Sequence, residues 1–476
     1  MSQPANPNTR VHPTLVLTTA LAVGLVLLVV GLLLGRVDVL IVGGGLLVVT
    51  SWDLSRAARG TLRVWTGLRG HRPKALAQRG ELAEHERMGV NTRHQATGDI
   101  GELAPTVGAD GFGGELVLRT PNGMDTVRLR LQRVGADPLE LMVSATGLRQ
   151  IGFNVNTVRT GPQDLMAVWA QGTTGAALTG PATEIASQEV VVLPRPNMLP
   201  GVPLPTKLRG LAGAHPSRRP GEGSQLRDVH PATPGQPLRR INWRATARRD
   251  PDLNTLYARR TLADAEAVVA LVVDSRDDLS PDPSTWTGGR AVRADQPTSL
   301  DVARVAAATI AEAYIDRGDR VGLTDLATRR RPLPPGAGRR HLNRLVYELT
   351  LTKPVGTSQG LKRAPVLPTG SIVFVLSTFL DADAADAALQ WRRFGHRVVA
   401  VDVLPPLVAG GMNSRSRLAF QVVRMRRQDR LWLLARSGVE LVRWYDASGA
   451  EGDYPGSGLT PQAALSAYER TRVRGS

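Results

Sequence analysis

The residues able to do chemistry fall into two groups. Acids and hydroxyls close several apolar runs: Asp274 ends EAVVALVVDS (266–275), Asp325 lies in VGLTDLA (321–327), Ser377 and Thr378 in SIVFVLSTFL (371–380), and Asp402 in RVVAVDVL (397–404). Carboxylates gathered at one edge could act as an acid and base, so Asp274 with Asp325 or Asp402 gives a hydrolase or transferase reading. The second group is the string PGQPLRRINWRATARRDPDLNTLYARR, Pro234 to Arg260. Residues 218–260 hold ten arginines against Glu222, Asp228, Asp250 and Asp252, around one large aromatic, Trp243. Guanidinium groups fork carboxylates and phosphates. One reading makes Trp243 a core anchor with Arg239, Arg244 and Arg248 paired to carboxylates or capping carbonyls where two domains meet. The other makes them a docking face for an acidic partner or anionic lipid headgroups, with nucleic acid the weaker ligand.

Several enzyme classes lack their residues. No Gly-x4-Gly-Lys-Ser/Thr phosphate loop occurs, so the chain is not itself a P-loop ATPase. HExxH and Gly-x-Ser-x-Gly are absent, and the 8 histidines are scattered. With no cysteine, thiol nucleophiles, zinc–thiolate sites and disulfides are excluded, which suits a reducing compartment. Binding is therefore expected rather than catalysis. The 59 Lys plus Arg against 42 Asp plus Glu fit an anionic partner surface, although GC-rich coding gives the same bias. Aromatics at 4% leave few platforms for stacking single-stranded nucleic acid.

These groups need elements to hold them. From residue 263 to 450, buried-strand runs alternate with amphipathic segments: helices over 299–319 with Ser299 as N-cap, 339–350, 382–395 and 430–438, and a last strand over 439–446. That alternation predicts a mostly parallel α/β sheet covered on both faces, with its ligand edge at the carboxyl ends of the strands. Earlier, GELVLRT (114–120), DTVRLRLQRV (125–134), LELMVSA (139–145) and EVVVLPRP (189–196) alternate with a period of two, which predicts a small antiparallel β-sandwich over 105–200. Residues 197–237, rich in Pro, Gly, Ser and Arg, read as an extended crossing inside the Arg-rich segment 201–262. A tail with a short helix is expected over 451–476.

The N-terminal end reads as an anchor. Thr14 to Gly35 is 22 residues without a charge, enough to cross a bilayer. A second apolar run follows from Val39 and ends at Trp52, giving a two-helix transmembrane hairpin over 14–52. Arg10 precedes it, and Arg56, Arg59, Arg63, Arg69, Arg72 and Lys74 follow, so the positive-inside rule puts residues 1–13, the connector 53–104 and the whole soluble body in the cytoplasm. A cleaved signal peptide and a single span that exports the body are the rival readings.

The string around Trp243 resembles the signature of the bacterial family known as domain of unknown function 58. Pro234 and Gly235 match its turn, Arg239, Ile241, Asn242 and Trp243 its core, Thr246, Ala247 and Arg248 its end, and Arg227 an upstream position; Gln236 stands where the family has aspartate. The order of anchor, β domain, signature and α/β domain is similar too. The resemblance implies an α/β domain like von Willebrand factor type A, and a partner ATPase of the MoxR-type AAA+ class in chaperone-like assembly. Type A domains often hold magnesium through Asp-x-Ser-x-Ser and a later Asp. Here the string is Asp274, Ser275, Arg276, Asp277, Asp278, and the later acid is Asp381. A guanidinium offers a cation no lone pair. Arg276 is therefore expected in the cation's position, paired with Asp274 or a nearby carboxylate, and no cofactor is expected; a solvated loop coated by Asp277 and Asp278 is the other reading.

Overall fold

The computed structural model describes residues 12–55, 62–68, 106–107, 112–144, 146–164, 166–174, 178–185, 187, 189–210, 213–286, 291–328, 331–355, 364–408, 412–445 and 458–474. The chain divides into two compact units, one built on residues 1–158, 162–192 and 293–295, the other on 159–161, 193–292 and 296–476.

The first unit begins with α1 (Leu15–Leu34) and α2 (Val37–Ser55). Helix α1 is long and apolar enough to cross a membrane, whereas the apolar part of α2, Val37–Trp52, is shorter. Gly35, at φ +62°, ends α1 in the left-handed conformation that glycine adopts without strain. The helices then pack closely through small residues: a Cβ on Gly43 would stand 2.7 Å from the Leu28 backbone nitrogen. Most of the expected connector, including the basic positions Arg56, Arg59, Arg69, Arg72 and Lys74, lies outside the described residues, as does Arg10. Residues Arg63–Leu68 are not connector; they pair antiparallel with Phe112–Arg119, which pairs in turn with Leu148–Val155. A second antiparallel sheet joins Leu178–Ile185, Ala167–Thr174, Thr126–Gln132 and Leu139–Ser144. Leu116 and Leu118 from one sheet and Val127, Leu129, Val168 and Ala170 from the other share a core, so the unit is a sandwich.

The second unit opens with a ribbon, β1 (His215–Pro231) against β2 (Tyr257–Ala265), carrying the short helix α3 (Trp243–Arg249). The proline- and glycine-rich crossing is thus partly a strand. Its ladder is broken by three register shifts between Pro216 and Asp228, which explains why no period of two shows in the sequence. A six-stranded sheet follows: β3 (Val268–Val273), β4 (Arg320–Asp325), β5 (Leu333–Gly336), β6 (Ile372–Ser377), β7 (Arg397–Asp402) and β8 (Glu440–Arg443), in the order β5-β4-β3-β6-β7-β8. All neighbours are parallel except β5, an antiparallel edge strand with two prolines, which edges tolerate.

Both faces are covered. On one, Val269, Leu271, Val273, Phe374 and Leu376 pack with α4 (Ser299–Ile315), α5 (Arg339–Thr350) and α8 (Pro461–Arg474). On the other, Ala270, Val272, Val373 and Val375 pack with α6 (Asp383–Arg393) and α7 (Ser414–Arg436). Burial on both faces is why β3 and β6 are unbroken apolar runs. Helix α8 belongs to this core through Ala464 and Leu465 and is no loose tail. Two helix starts differ from expectation. Thr298, one residue before Ser299, caps α4 in a capping box with Asp301. Helix α7 starts at Ser414, capped by Asn413, rather than near residue 430, because its leading half is too Arg-rich to show one apolar face.

Candidate functional site

The carboxyl ends of β3 and β6 bring Asp274 and Ser377 together, and Arg276 is folded back onto them. Arg276 Nε donates to Asp274 Oδ1 and Nη2 to Oδ2, both at 2.7 Å, while Ser377 Oγ donates to Asp274 Oδ2 at 2.7 Å. The same guanidinium reaches Asp381 at 2.8 Å and Asp383 at 2.8 Å, the latter in the first turn of α6. Arg276 is only 5% exposed. Burial works against its charge, but the hydrogen bonds and charges of Asp274 and Asp381 hold its pKa above the usual arginine value. Asp381 is raised above the usual carboxylate range, first by burial and then by Asp274, with Arg276 pulling the other way.

A permanent cation therefore fills the space among three carboxylates, and the residues do not fit a divalent metal there. Among the described residues no group of three or more His, Asp or Glu could hold one. Asp277 and Asp278 do not coat a solvated loop. Asp277 is raised by burial and by the charges of Asp274 and Asp381. Asp278 is raised by burial and by Asp301; it accepts from the Leu300 amide at 3.3 Å and lies 3.4 Å from Arg159. Helix α4 closes over this segment, and that long-range packing is invisible in the acidic string itself.

The other edge acids are also engaged. Asp325 accepts from Ser275 Oγ at 2.8 Å and from the Ala327 amide at 3.0 Å. Asp402 pairs with the buried Arg427 of α7, whose Nε donates to the Thr378 carbonyl at 2.7 Å, and lies 3.8 Å from Arg443. Sequence reasoning missed Arg427 because α7 was drawn too short. It also missed a buried hub at Asp301, which accepts from the amide and hydroxyl of Thr160 at 2.7 and 2.9 Å and of Thr298 at 2.9 and 2.8 Å. Arg159 lies 2.6 Å from Asp301, and Arg304, lowered in pKa by burial, bridges Asp301 to the Thr160 carbonyl. The Thr298-x-x-Asp301 spacing was the readable signal.

The signature residues stand on the ribbon. Pro234 and Gly235, at φ +90°, are the central pair of a turn closed by Gln236 N to Thr233 O at 3.2 Å, the positions where a type II turn takes Pro and Gly. Gln236, in place of aspartate, contacts His230 at 3.2 Å. Asn242 caps α3 by accepting from the Ala245 amide at 3.2 Å, and its own amide donates to Tyr257 O at 2.7 Å. Ile241 and Thr246 are buried, and Thr246 Oγ1 accepts from the Tyr257 amide at 2.9 Å. These residues fasten α3 to β2.

Trp243 is not a core anchor: it is 57% exposed. It is the first residue of α3, and although Thr246 lies one turn on along the same side, only Thr246 is buried. Arg244 and Arg248 are exposed beside it and have no carboxylate partner among the described residues. Arg239 is exposed, 3.7 Å from Glu222, and Arg227 lies 3.7 Å from Asp228. Exposed pairs this long contribute little. The candidate residues thus form two groups: Asp274 and Asp381 joined by Arg276 at the sheet edge, and Arg227, Arg239, Trp243, Arg244 and Arg248 displayed on the ribbon, with Asn242 beneath them as a cap.

No curated protein matches the chain. Residues 228–408, which run from the ribbon through the Asp274 cluster and past the end of β7, are similar to the family whose model is described as "Protein of unknown function DUF58".

Proposed function

We propose that the chain is a membrane-anchored adaptor that binds proteins and performs no chemistry of its own. Its α/β unit would act like a von Willebrand type A domain whose cation has been replaced by Arg276. What supports the reading is the pairing of Arg276 with Asp274, Asp381 and Asp383 at the carboxyl edge of the sheet, the edge where such folds take ligands. Among the described residues, Asp274, Asp325 and Asp402 at that edge are each engaged by a neighbouring hydroxyl or guanidinium, which favours this reading over the hydrolase alternative. An exposed tryptophan beside Arg244 and Arg248, which have no carboxylate partner among the described residues, is the composition of a protein-contact surface, where aromatic and arginine anchors dominate binding. An acidic protein partner fits those arginines better than nucleic acid does.

In this reading α1 and α2 form a hairpin through the membrane with the body in the cytoplasm. The resemblance suggests a MoxR-type AAA+ ATPase as the partner, which would supply the nucleotide chemistry. Gentle crosslinking in cells followed by purification of the full chain from solubilised membranes tests the pairing. An ATPase recovered with wild type and depleted by Arg244→Glu/Arg248→Glu supports it. No ATPase in either sample overturns it. Salt-dependent binding of a DNA duplex by the full chain, weakened stepwise as arginines are removed, would instead favour the nucleic-acid reading.

A further inference from the structure

Helix α7 is apolar on two opposite faces. At 100° per residue, Phe420, Arg427, Leu431 and Leu434 share one side. Leu431 and Leu434 are buried in the core beneath the sheet, Phe420 packs edge-on against Trp286 at 6.0 Å, and Arg427 is locked to Asp402 and Thr378. The opposite side carries Leu418, Val422, Met425, Trp432 and Leu433 within an arc of about 100°. All five are between 40% and 65% exposed. A helix needs one apolar face to join a core, and this second stripe has no covering among the described residues.

Three of the five stripe residues, Leu418, Val422 and Met425, precede Arg427, whereas Trp432 and Leu433 flank the core residues Leu431 and Leu434. Arg427 contacts the ends of β6 and β7, so it marks the level of the carboxyl edge. Residues 414–426 lie N-terminal to it, and at 1.5 Å per residue they extend roughly 20 Å beyond that edge. The charge is one-sided: seven arginines lie between Ser414 and Arg436, and Asp429 is the single acid. Arg415 and Arg426 border the stripe on one side, while Asp429 and Arg436 lie within its arc, among the apolar residues. Neither Arg415 nor Arg426 has a carboxylate partner among the described residues, and Arg436 stacks over Trp432 at 5.9 Å.

We infer that this outward face of α7 lies in the interface of an anionic lipid bilayer. Leu418, Val422, Met425, Trp432 and Leu433 enter the headgroup boundary, and the bordering arginines meet lipid phosphates, as interfacial amphipathic helices do. A second copy of the chain would bring the same arginines against each other, which charge disfavours. The inference rests on the membrane placement proposed above, and it adds that the α/β unit lies on the bilayer surface instead of hanging free from its anchor.

The lack of cysteine makes the test clean, since Val422→Cys creates the one thiol in the chain. The full-length variant, carrying a nitroxide at that thiol, is reconstituted in vesicles of phosphatidylcholine with or without phosphatidylglycerol. Power saturation then compares accessibility to oxygen, which concentrates in the bilayer, with accessibility to a water-soluble nickel chelate. The expected result is a severalfold rise in the oxygen-to-nickel ratio when phosphatidylglycerol is present, reduced by Arg415→Gln/Arg426→Gln in the same labelled chain. Equal nickel access in both lipids overturns the proposal. Shielding from both probes, with spin–spin broadening for a second copy or without it for another protein, also overturns it. Retention in phosphatidylcholine vesicles after an alkaline wash reads the crossing helix separately, so loss of the anchor and loss of the α7 contrast are distinguishable. Because residue 422 is exposed, the substitution leaves the core unchanged, and Met425→Cys repeats the measurement one turn on.

Discussion

Arg276 grips Asp274 with two parallel N–H···O bonds of 2.7 Å each, two residues along the same chain. Because Asp274 directly follows β3 and also accepts from Ser377 at the end of β6, the pair ties the two central strands of the sheet together where the type A resemblance would put a cation.

Removing that guanidinium leaves Asp274, Asp381 and Asp383 facing one another without compensation. Arg276→Ser should cost about 3–5 kcal/mol at neutral pH, as broken buried pairs do. Its deficit should shrink in acid, because Asp381, already raised by burial and by Asp274, gains a proton there and one of the uncompensated charges is lost. Added magnesium should restore part of the loss, because the three acids and Ser377 are hard oxygen ligands. Thermal unfolding of the full chain with and without the ion, together with isothermal titration, checks this. Equal magnesium heats for wild type and variant would refute the substitution argument.

Asp277 gives a pH signature of opposite cause. Burial and the charges of Asp274 and Asp381 raise its pKa in the folded chain. A raised acid contributes stability that is fully present below its unfolded value, about 3.9, and lost as pH rises through the folded value. Asp277→Asn removes that loss, so the variant should match wild type in acid and exceed it increasingly towards neutral pH. Denaturation midpoints across that range provide the comparison, and a variant less stable at neutral pH would contradict the assignment.

What the sequence made legible follows from the range of the interactions. Apolar runs such as Val268–Val273 announce buried parallel strands because both their faces are covered. The pairing of Arg276 with Asp274 spans two residues and needs only local chemistry to foresee. The sequence leaves Trp243 open between core anchor and docking face, because an aromatic among arginines looks the same whether it turns in or out; Thr246, three residues on, takes the buried position. The ribbon strand His215–Pro231 escaped because bulges erase the period of two. Helix α7 escaped because apolar residues on two faces cancel the amphipathic signal. Asp301 finds Thr160 from 141 residues away, a contact no local pattern encodes.

That hub should be among the most sensitive points of the second unit. Asp301 is 2% exposed and neutralises Arg159 and Arg304. Asp301→Ala should cost about 3–5 kcal/mol by stranding the buried arginines. Thr298→Ala, which removes only the cap hydroxyl, should cost about 1 kcal/mol. Hydrogen exchange in α4 reports both. Equal effects would show that the cap, and not the charge network, is what holds the helix.

Trp243 separates binding from folding. A side chain this exposed, outside the core clusters of the described residues, predicts that Trp243→Ala shifts stability by no more than about 0.5 kcal/mol. If the ribbon is the partner surface, the same change should lower recovery of the crosslinked partner at least tenfold, since a tryptophan anchor commonly contributes about 2 kcal/mol at an interface. Ala245→Gly, in the same helix but about 160° around it from Trp243, should weaken α3 slightly, by about 1 kcal/mol, and leave recovery near wild type. Loss of partner in step with stability for both variants would mean that the ribbon only supports the fold. Loss confined to Trp243 would place the contact on the exposed side of α3.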